Sequence, residues 1–308
     1  MNMNNNHSFN KIWEIFKPFI IYYILYNVAF VLIISLYRAV VQGLGNKYQE
    51  YLVEHAETVT GLVSGLSMVI SVLPLIPMLW GELKEHKRSV YGTVRESGTV
   101  ASNGDSANTE QQTMDMSAEK YNKDKKCRVL SLFLTIIFAT SSSLGLNILL
   151  ALTGIVDTSA NYQDVAKQQY GVVFGVGMIL FGLISPITEE IVFRGLIFNR
   201  IRRYFPHAAA VIASGILFGI YHGNLVQGLY GGCMGILMAY LYERMHSFFI
   251  PCLFHATANF MVYMIAQNAT LQGQIFTLPG CVALLIVSAA CIDIIEFTCQ
   301  KVQKEKEH

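Results

Sequence analysis

The sequence predicts an all-α protein, a polytopic membrane bundle of about eight transmembrane helices. Three observations carry that prediction. Of 308 residues, 53% are hydrophobic and only 14% charged, against about 25% charged in an ordinary soluble domain. Apolar runs near the length of about 20 residues that a bilayer crossing needs recur along the chain. Lys and Arg gather in alternate connecting segments, as successive crossings require. The same composition excludes other classes. A net charge of +1 offers no global basic field to recruit nucleic acid. Disorder over most of the chain is incompatible with so much apolar surface. Cys127, Cys233, Cys252, Cys281, Cys291 and Cys299 contain no CxxC pair, and most sit in apolar runs, which argues against a disulfide framework or zinc finger.

The spans fall near 18–42, 60–80, 129–153, 171–194, 207–222, 225–242, 249–267 and 279–299. Span one opens at Pro18, a residue tolerated at a helix start. It is longer than a signal-peptide core and no small-residue cleavage site follows, so it reads as retained. Its aromatic residues, among them Tyr22, Tyr23 and Tyr26, suit lipid contact and an interfacial belt. Span five is the short one, closing at His222–Asn224. Between spans two and three, ESGTVASNGDSANTEQQTMDMSAE (96–119) has too little apolar surface to fold alone and reads as a disordered loop. The domain organisation is therefore two amino-terminal transmembrane helices (1–80), a polar, largely disordered cytoplasmic loop (81–128) and a six-helix membrane domain (129–308).

Charge orients these spans. Lys84, Lys87, Arg88, Arg200, Arg202, Arg203 and Arg244 fall on one side, with both termini. The other side receives only Lys47 and Lys167, beside Glu50, Glu54, Glu57, Asp157 and Asp164. Both termini are expected to be cytoplasmic.

Ionisable groups inside spans cost about 2.5–3.5 kcal/mol each on insertion scales and are functional suspects for that reason. Span four ends in SPITEEIVFRG, with Glu189, Glu190 and Arg194; span five ends in LFGIYHGN, with Phe218 and His222; span seven begins PCLFHATANF, with His255 and Asn259. Glu190 and Arg194 are i,i+4 with the acid first, the favourable order for an ion pair. Glu189 has no basic residue at i±3 or i±4 and is the acid left over, a candidate for general acid/base work. His255 with Asn259, and Phe218 with His222, share helix faces by the same spacing. One free acid, one imidazole and an imidazole–amide pair make a hydrolytic set: the acid activates water, an imidazole orients it, and His plus Asn donate to an oxyanion. Gly215, Gly219 and Gly223, and Gly228 with Gly232, repeat every fourth position, a pattern that lets helix backbones approach closely in lipid.

Glu189-Glu190-x-x-x-Arg194, Phe218-x-x-x-His222 and His255-x-x-x-Asn259, in this order on separate spans, resemble the CPBP family, the CAAX proteases and bacteriocin-processing enzymes also labelled Abi proteins. The segment GLYGGCMGILMAYLYERMHSFFIPCLFHATANF resembles the family's stretch between its second and third motifs, and the resemblance spans about 171–267. It implies an intramembrane endopeptidase of the glutamate type. Carried over, Glu189 and His222 hold and activate the water, His255 and Asn259 form the oxyanion hole, and Glu190, Arg194 and Phe218 support the site. The implied partners are the lipid bilayer and a membrane-associated peptide or protein, prenylated in the eukaryotic members. The implied setting is a bacterial plasma membrane, with peptide maturation, bacteriocin immunity or regulation as roles. Glu189, His222 and His255 are also the ligand types of an open catalytic zinc site, so zinc remains an option. No HExxH occurs, and a carboxylate with an imidazole activates water unaided, so no cofactor is required.

Two other functions fit the inventory: a non-catalytic immunity or scaffold protein that binds a bacteriocin or sensor partner, and a proton-coupled transporter built on buried Glu and His. The transporter lacks the internal repeat common in that class. A structural reading attaches to several residues. Arg38 would snorkel outward. His207, Glu243 and His246 sit near membrane edges, and Asp293 and Glu296 would meet basic loops. One conflict stands within these boundaries. Glu189 and His255 fall near the cytoplasmic ends of their spans, and His222 lies near the far end of its own. Fifteen residues of helix cover about 22 Å, too far for the two groups to share one water unless span four kinks at Pro186 or span five is sunk into a cavity.

Overall fold

The computed structural model describes residues 2–44, 46–96 and 108–307, with side chains over 10–44, 48–86, 88 and 129–300. Among the described residues every regular element is helical. The chain runs through α1 (Asn2–Gln42), α2 (Asn46–Glu54) and α3 (Ala56–Val72), then a 3₁₀ turn (Leu73–Leu75) into α4 (Ile76–Glu96). Next come α5 (Asn108–Leu152), α6 (Ile155–Thr158), α7 (Ala160–Tyr170) and α8 (Phe174–Ile179). A π-helical segment (Leu180–Ile184), α9 (Ser185–Glu190), a second π-helical segment (Ile191–Phe198) and α10 (Asn199–Arg202) continue one rod. The remainder is α11 (His207–Tyr221), α12 (Leu225–Met245), α13 (Phe249–Ala266), α14 (Ala269–Ile275) and α15 (Leu278–Glu307).

Seven of the described helical stretches are long and apolar enough to cross a membrane: Asn10–Gln42, Ala56–His86, Val129–Leu152, Phe174–Arg202, Leu225–Met245, Phe249–Ala266 and Leu278–Gln300. The eighth expected span is His207–Tyr221, whose 15 residues cover about 22 Å of the roughly 30 Å hydrocarbon core. The protein is a multi-pass, all-α membrane bundle. Its outward faces are apolar, with Leu32, Leu36, Phe133, Ile220, Ile286 and Phe297 exposed, while Glu82, Glu189, Glu190, Arg194, Arg200 and His255 are buried. That inversion of a soluble protein suits a lipid solvent.

Several boundaries differ from the sequence reading. Pro18 lies inside α1 rather than at its start. A proline there has no N–H for the Glu14 carbonyl four residues back, and Arg200 Nη1 from α10 donates to that carbonyl at 2.5 Å instead. The expected loop extends only in part: α5 begins at Asn108, and 97–107 lie outside the described residues. The stretch 108–128 contains Lys, Glu, Gln and Met and has no Gly or Pro, so it favours helix once attached to a spanning segment. Span four is the consequential correction. It ends at Arg202, not Arg194, because the apolar run GLIF continues the helix beyond the charged motif.

α5 packs against α13 and α15, α11 lies along α12, and α1 lies along α3. The α11–α12 contact is close because it is glycine against glycine. A Cβ on Gly219 would stand 2.5 Å from the Gly228 carbonyl oxygen and 3.0 Å from Gly232 backbone. Gly223, at φ 73°, makes the turn between these helices, and the Asn224 side chain accepts from Gln227 N at 2.9 Å to cap α12. The amino-terminal helices pack directly on the rod of span four. Phe19 meets Phe193 at 6.0 Å between ring centroids, and Arg200 pairs with Glu82 of α4 at 2.9 Å.

Candidate active site

The EE motif lies in α9, a six-residue α-helical segment held between two π-helical ones. Pro186 explains the first of these. Its ring excludes the regular bond to residue 182, so the backbone ladder cannot run straight through the motif. Wide turns of this kind recur at functional sites; here they set the rotation of Glu189, Glu190 and Arg194 about the rod.

The four motif groups form one buried cluster. Arg194 Nη1 donates to Glu190 Oε1 at 2.9 Å, the i,i+4 pair that the spacing predicts, and both side chains are 0% exposed. Glu190 Oε1 also lies 2.8 Å from His255 Nδ1, and His255 Nε2 lies 3.7 Å from Glu189 Oε2. Glu190 is therefore more than the partner of Arg194: it orients His255, and His255 faces Glu189. Arg194 Nη2 donates to the Gly235 carbonyl at 2.9 Å, so the guanidinium ties the rod to α12. One arginine and two glutamates leave the cluster one charge negative.

Phe218 is the hub that brings span five to this cluster. Its ring lies 4.6 Å under the Arg194 guanidinium carbon, a cation–π contact, and meets His255 edge-on at 5.5 Å and His222 at 4.8 Å. His222 Nδ1 donates to the Phe218 carbonyl at 2.8 Å. With Nδ1–H committed there, Nε2 keeps its lone pair. Gly231 of α12 leaves room for the ring, since a Cβ there would stand 3.1 Å from it.

The apparent separation of Glu189 and His222 disappears with the corrected boundary. Glu189 stands thirteen residues before Arg202, and α11 starts at His207 after a tight turn and runs back beside the rod. His222, at its end, returns to the level of Glu189. Both line one cavity of about 220 Å³, together with Phe218, His255 and Asn259. Among the described residues Glu189 has no direct contact with His222; its neighbours are His255 and Ser185, whose Oγ donates to Glu189 Oε1 at 2.7 Å. Ser185 escaped the sequence reading, although its i,i+4 spacing to Glu189 was available. Asn259 Nδ2 donates to the Phe181 carbonyl at 3.1 Å, which fixes the amide and leaves its second N–H for the cavity.

No three His, Cys, Asp or Glu side chains among the described residues are placed to share a metal ion. The zinc set Glu189, His222 and His255 lines the cavity without converging on one point. Outside the site, Glu296 does meet a basic residue, pairing with Arg244 of α12 and with the Tyr240 hydroxyl. Glu243 accepts from Arg202 at 3.1 Å and pairs with His207, so these residues brace the far end of the bundle.

The class that follows from fold and site is a polytopic membrane protein with a buried acid–imidazole centre. Residues 172–261 match the family described as Rce1-like, type II CAAX prenyl endopeptidase. A Bacillus subtilis (strain 168) protein named "Putative membrane peptidase YdiL" is 29% identical over 142 residues, 40% of this chain and 58% of that protein. The chain thus matches little more than half the length of this curated relative. No solved structure matches it.

Proposed function

We propose that the protein is an intramembrane endopeptidase of the CAAX-protease type, cleaving a membrane-associated peptide or protein with a water activated by Glu189. The observation that carries this reading is the buried chain of contacts Arg194–Glu190–His255–Glu189 at one end of a cavity. His255 Nδ1 faces Glu190 Oε1, and His255 Nε2 faces Glu189 Oε2. Water bound between Glu189 and the His222 Nε2 lone pair loses a proton to Glu189 as its oxygen attacks the scissile carbonyl. His255 Nε2–H and the free N–H of Asn259 donate to the developing oxyanion. The tetrahedral intermediate then collapses, the C–N bond breaks, and Glu189 returns the proton to the leaving amine. These steps use protein groups alone, and the enzyme needs no cofactor.

The setting we propose is a bacterial plasma membrane with both termini in the cytoplasm. The test compares wild type with Glu189→Gln in the same membranes, profiling new peptide termini. Products present only with wild type support the assignment, with a rate loss of about 10²–10⁴ in the variant. Matching profiles at equal protein levels would put a binding or immunity role ahead of catalysis.

A further inference from the structure

The cavity leaves the catalytic level in one direction only. On three helices, the rod, α12 and α13, the lining residues lie on the same side of Glu189 and His255. Ser185 precedes Glu189 on the rod, Asn259 and Val262 follow His255 on α13, and Gln227 lies near the start of α12. Beyond them the lining passes to α7, whose Tyr162 and Gln169 face inward. Behind the cluster the fully buried side chains Leu196, Phe198, Tyr242 and Phe254 close the cavity; beyond them Glu82, Arg202 and Glu243 line a second cavity of about 480 Å³.

The two ends also differ in charge. The closed end carries Arg200, Arg202, Arg203 and Arg244. The α7 end carries Asp157 and Asp164, with Glu57 of α3 packed where Gly171 leaves space, against Lys167. Basic connecting segments stay in the cytoplasm, so the α7 end faces outward. No Lys or Arg lines the cavity. The groups lining it besides the catalytic ones are tyrosine, amide and apolar side chains, which suit a neutral length of peptide.

From this geometry, and resting on the peptidase reading above, we propose that the substrate enters from the extracytoplasmic face beside α7. The substrate class is an exported or extracytoplasmic peptide segment lying at the outer membrane surface and cut within an uncharged stretch. α7 forms the wall of the mouth. It is fastened at its carboxy-terminal end, where Gln267 Nε2 donates to the Tyr170 carbonyl at 2.8 Å and the Tyr263 hydroxyl to the Val172 carbonyl at 3.1 Å.

The test places single cysteines, Gln169→Cys at the mouth and Lys84→Cys at the closed end, in a chain with its six native cysteines replaced. Right-side-out membrane vesicles are treated with a membrane-impermeant maleimide. The expected result is full labelling at position 169 before permeabilisation and labelling at position 84 only after it. Labelling of position 84 alone in sealed vesicles, or of neither position, overturns the proposal. Labelling needs no turnover, so it is read independently of the peptidase assignment. In parallel, wild-type-specific termini are mapped in cells. Termini in cytoplasmic segments overturn the access route while leaving the peptidase intact. Termini in extracytoplasmic segments support both. If no wild-type-specific termini form, it is the peptidase assignment that falls, and the labelling alone decides the access route.

Discussion

A double-mutant cycle on Glu190 and Arg194 probes the foundation of the site. Both side chains are 0% exposed and meet at 2.9 Å. Removing one member of such a pair strands a buried charge and costs about 3–5 kcal/mol. Arg194→Met also removes the bond to the Gly235 carbonyl and the contact with the Phe218 ring, the latter worth about 0.5–2 kcal/mol. These losses overlap, so the expected total stays near the upper part of the same range, about 5 kcal/mol. Glu190→Gln keeps an oxygen for both donors but loses the charge, and should cost about 3 kcal/mol by leaving Arg194 unpaired. The double variant contains no stranded charge from this pair. It should therefore be more stable than the sum of the singles predicts, with a coupling of about 2–3 kcal/mol. Reversible unfolding in mixed micelles gives all four free energies. Single losses below about 1 kcal/mol that add to within about 0.5 kcal/mol would refute the reasoning, because they would mean that the pair is hydrated.

Asn259→Ala should lower kcat by about 10²–10³ if the amide donates to the oxyanion, while the unfolding midpoint moves little; an unchanged kcat would remove Asn259 from the chemistry. Gly219→Ala forces a methyl onto the Gly228 carbonyl and Gly232 backbone, and should cost about 1–3 kcal/mol. Gly81→Ala meets nothing within 4 Å and should be neutral or stabilising by up to about 1 kcal/mol; equal unfolding midpoints for the two variants would contradict close α11–α12 packing. Dialysis against a strong chelator should leave cleavage unaltered, and activity lost on dialysis and restored by zinc would require a metal-bound water in place of the unassisted one.

Some of this protein is written in its sequence. A 14% charged content and long apolar runs dictate membrane helices, because a bilayer accepts no unpaired backbone. The i,i+4 order of Glu190 and Arg194 dictates their pairing, and Glu189 stands out as the acid with no local base. Such features depend on helix periodicity, which repeats every few residues and needs no knowledge of neighbours. The division of labour among the polar groups does not. His255 takes its orientation from Glu190, 65 residues earlier, and Phe218 joins Arg194, His222 and His255 through one ring. The apolar run after Arg194 hid the true end of span four, and with it the depth of Glu189. Two π-helical segments then set the rotation of the motif, a property of backbone hydrogen bonding in a packed bundle rather than of any residue pattern. Composition and spacing determine which groups enter the membrane and which neighbours on one helix meet; only the packing of separate helices decides which groups converge from far along the chain, because those contacts are fixed by depth and rotation.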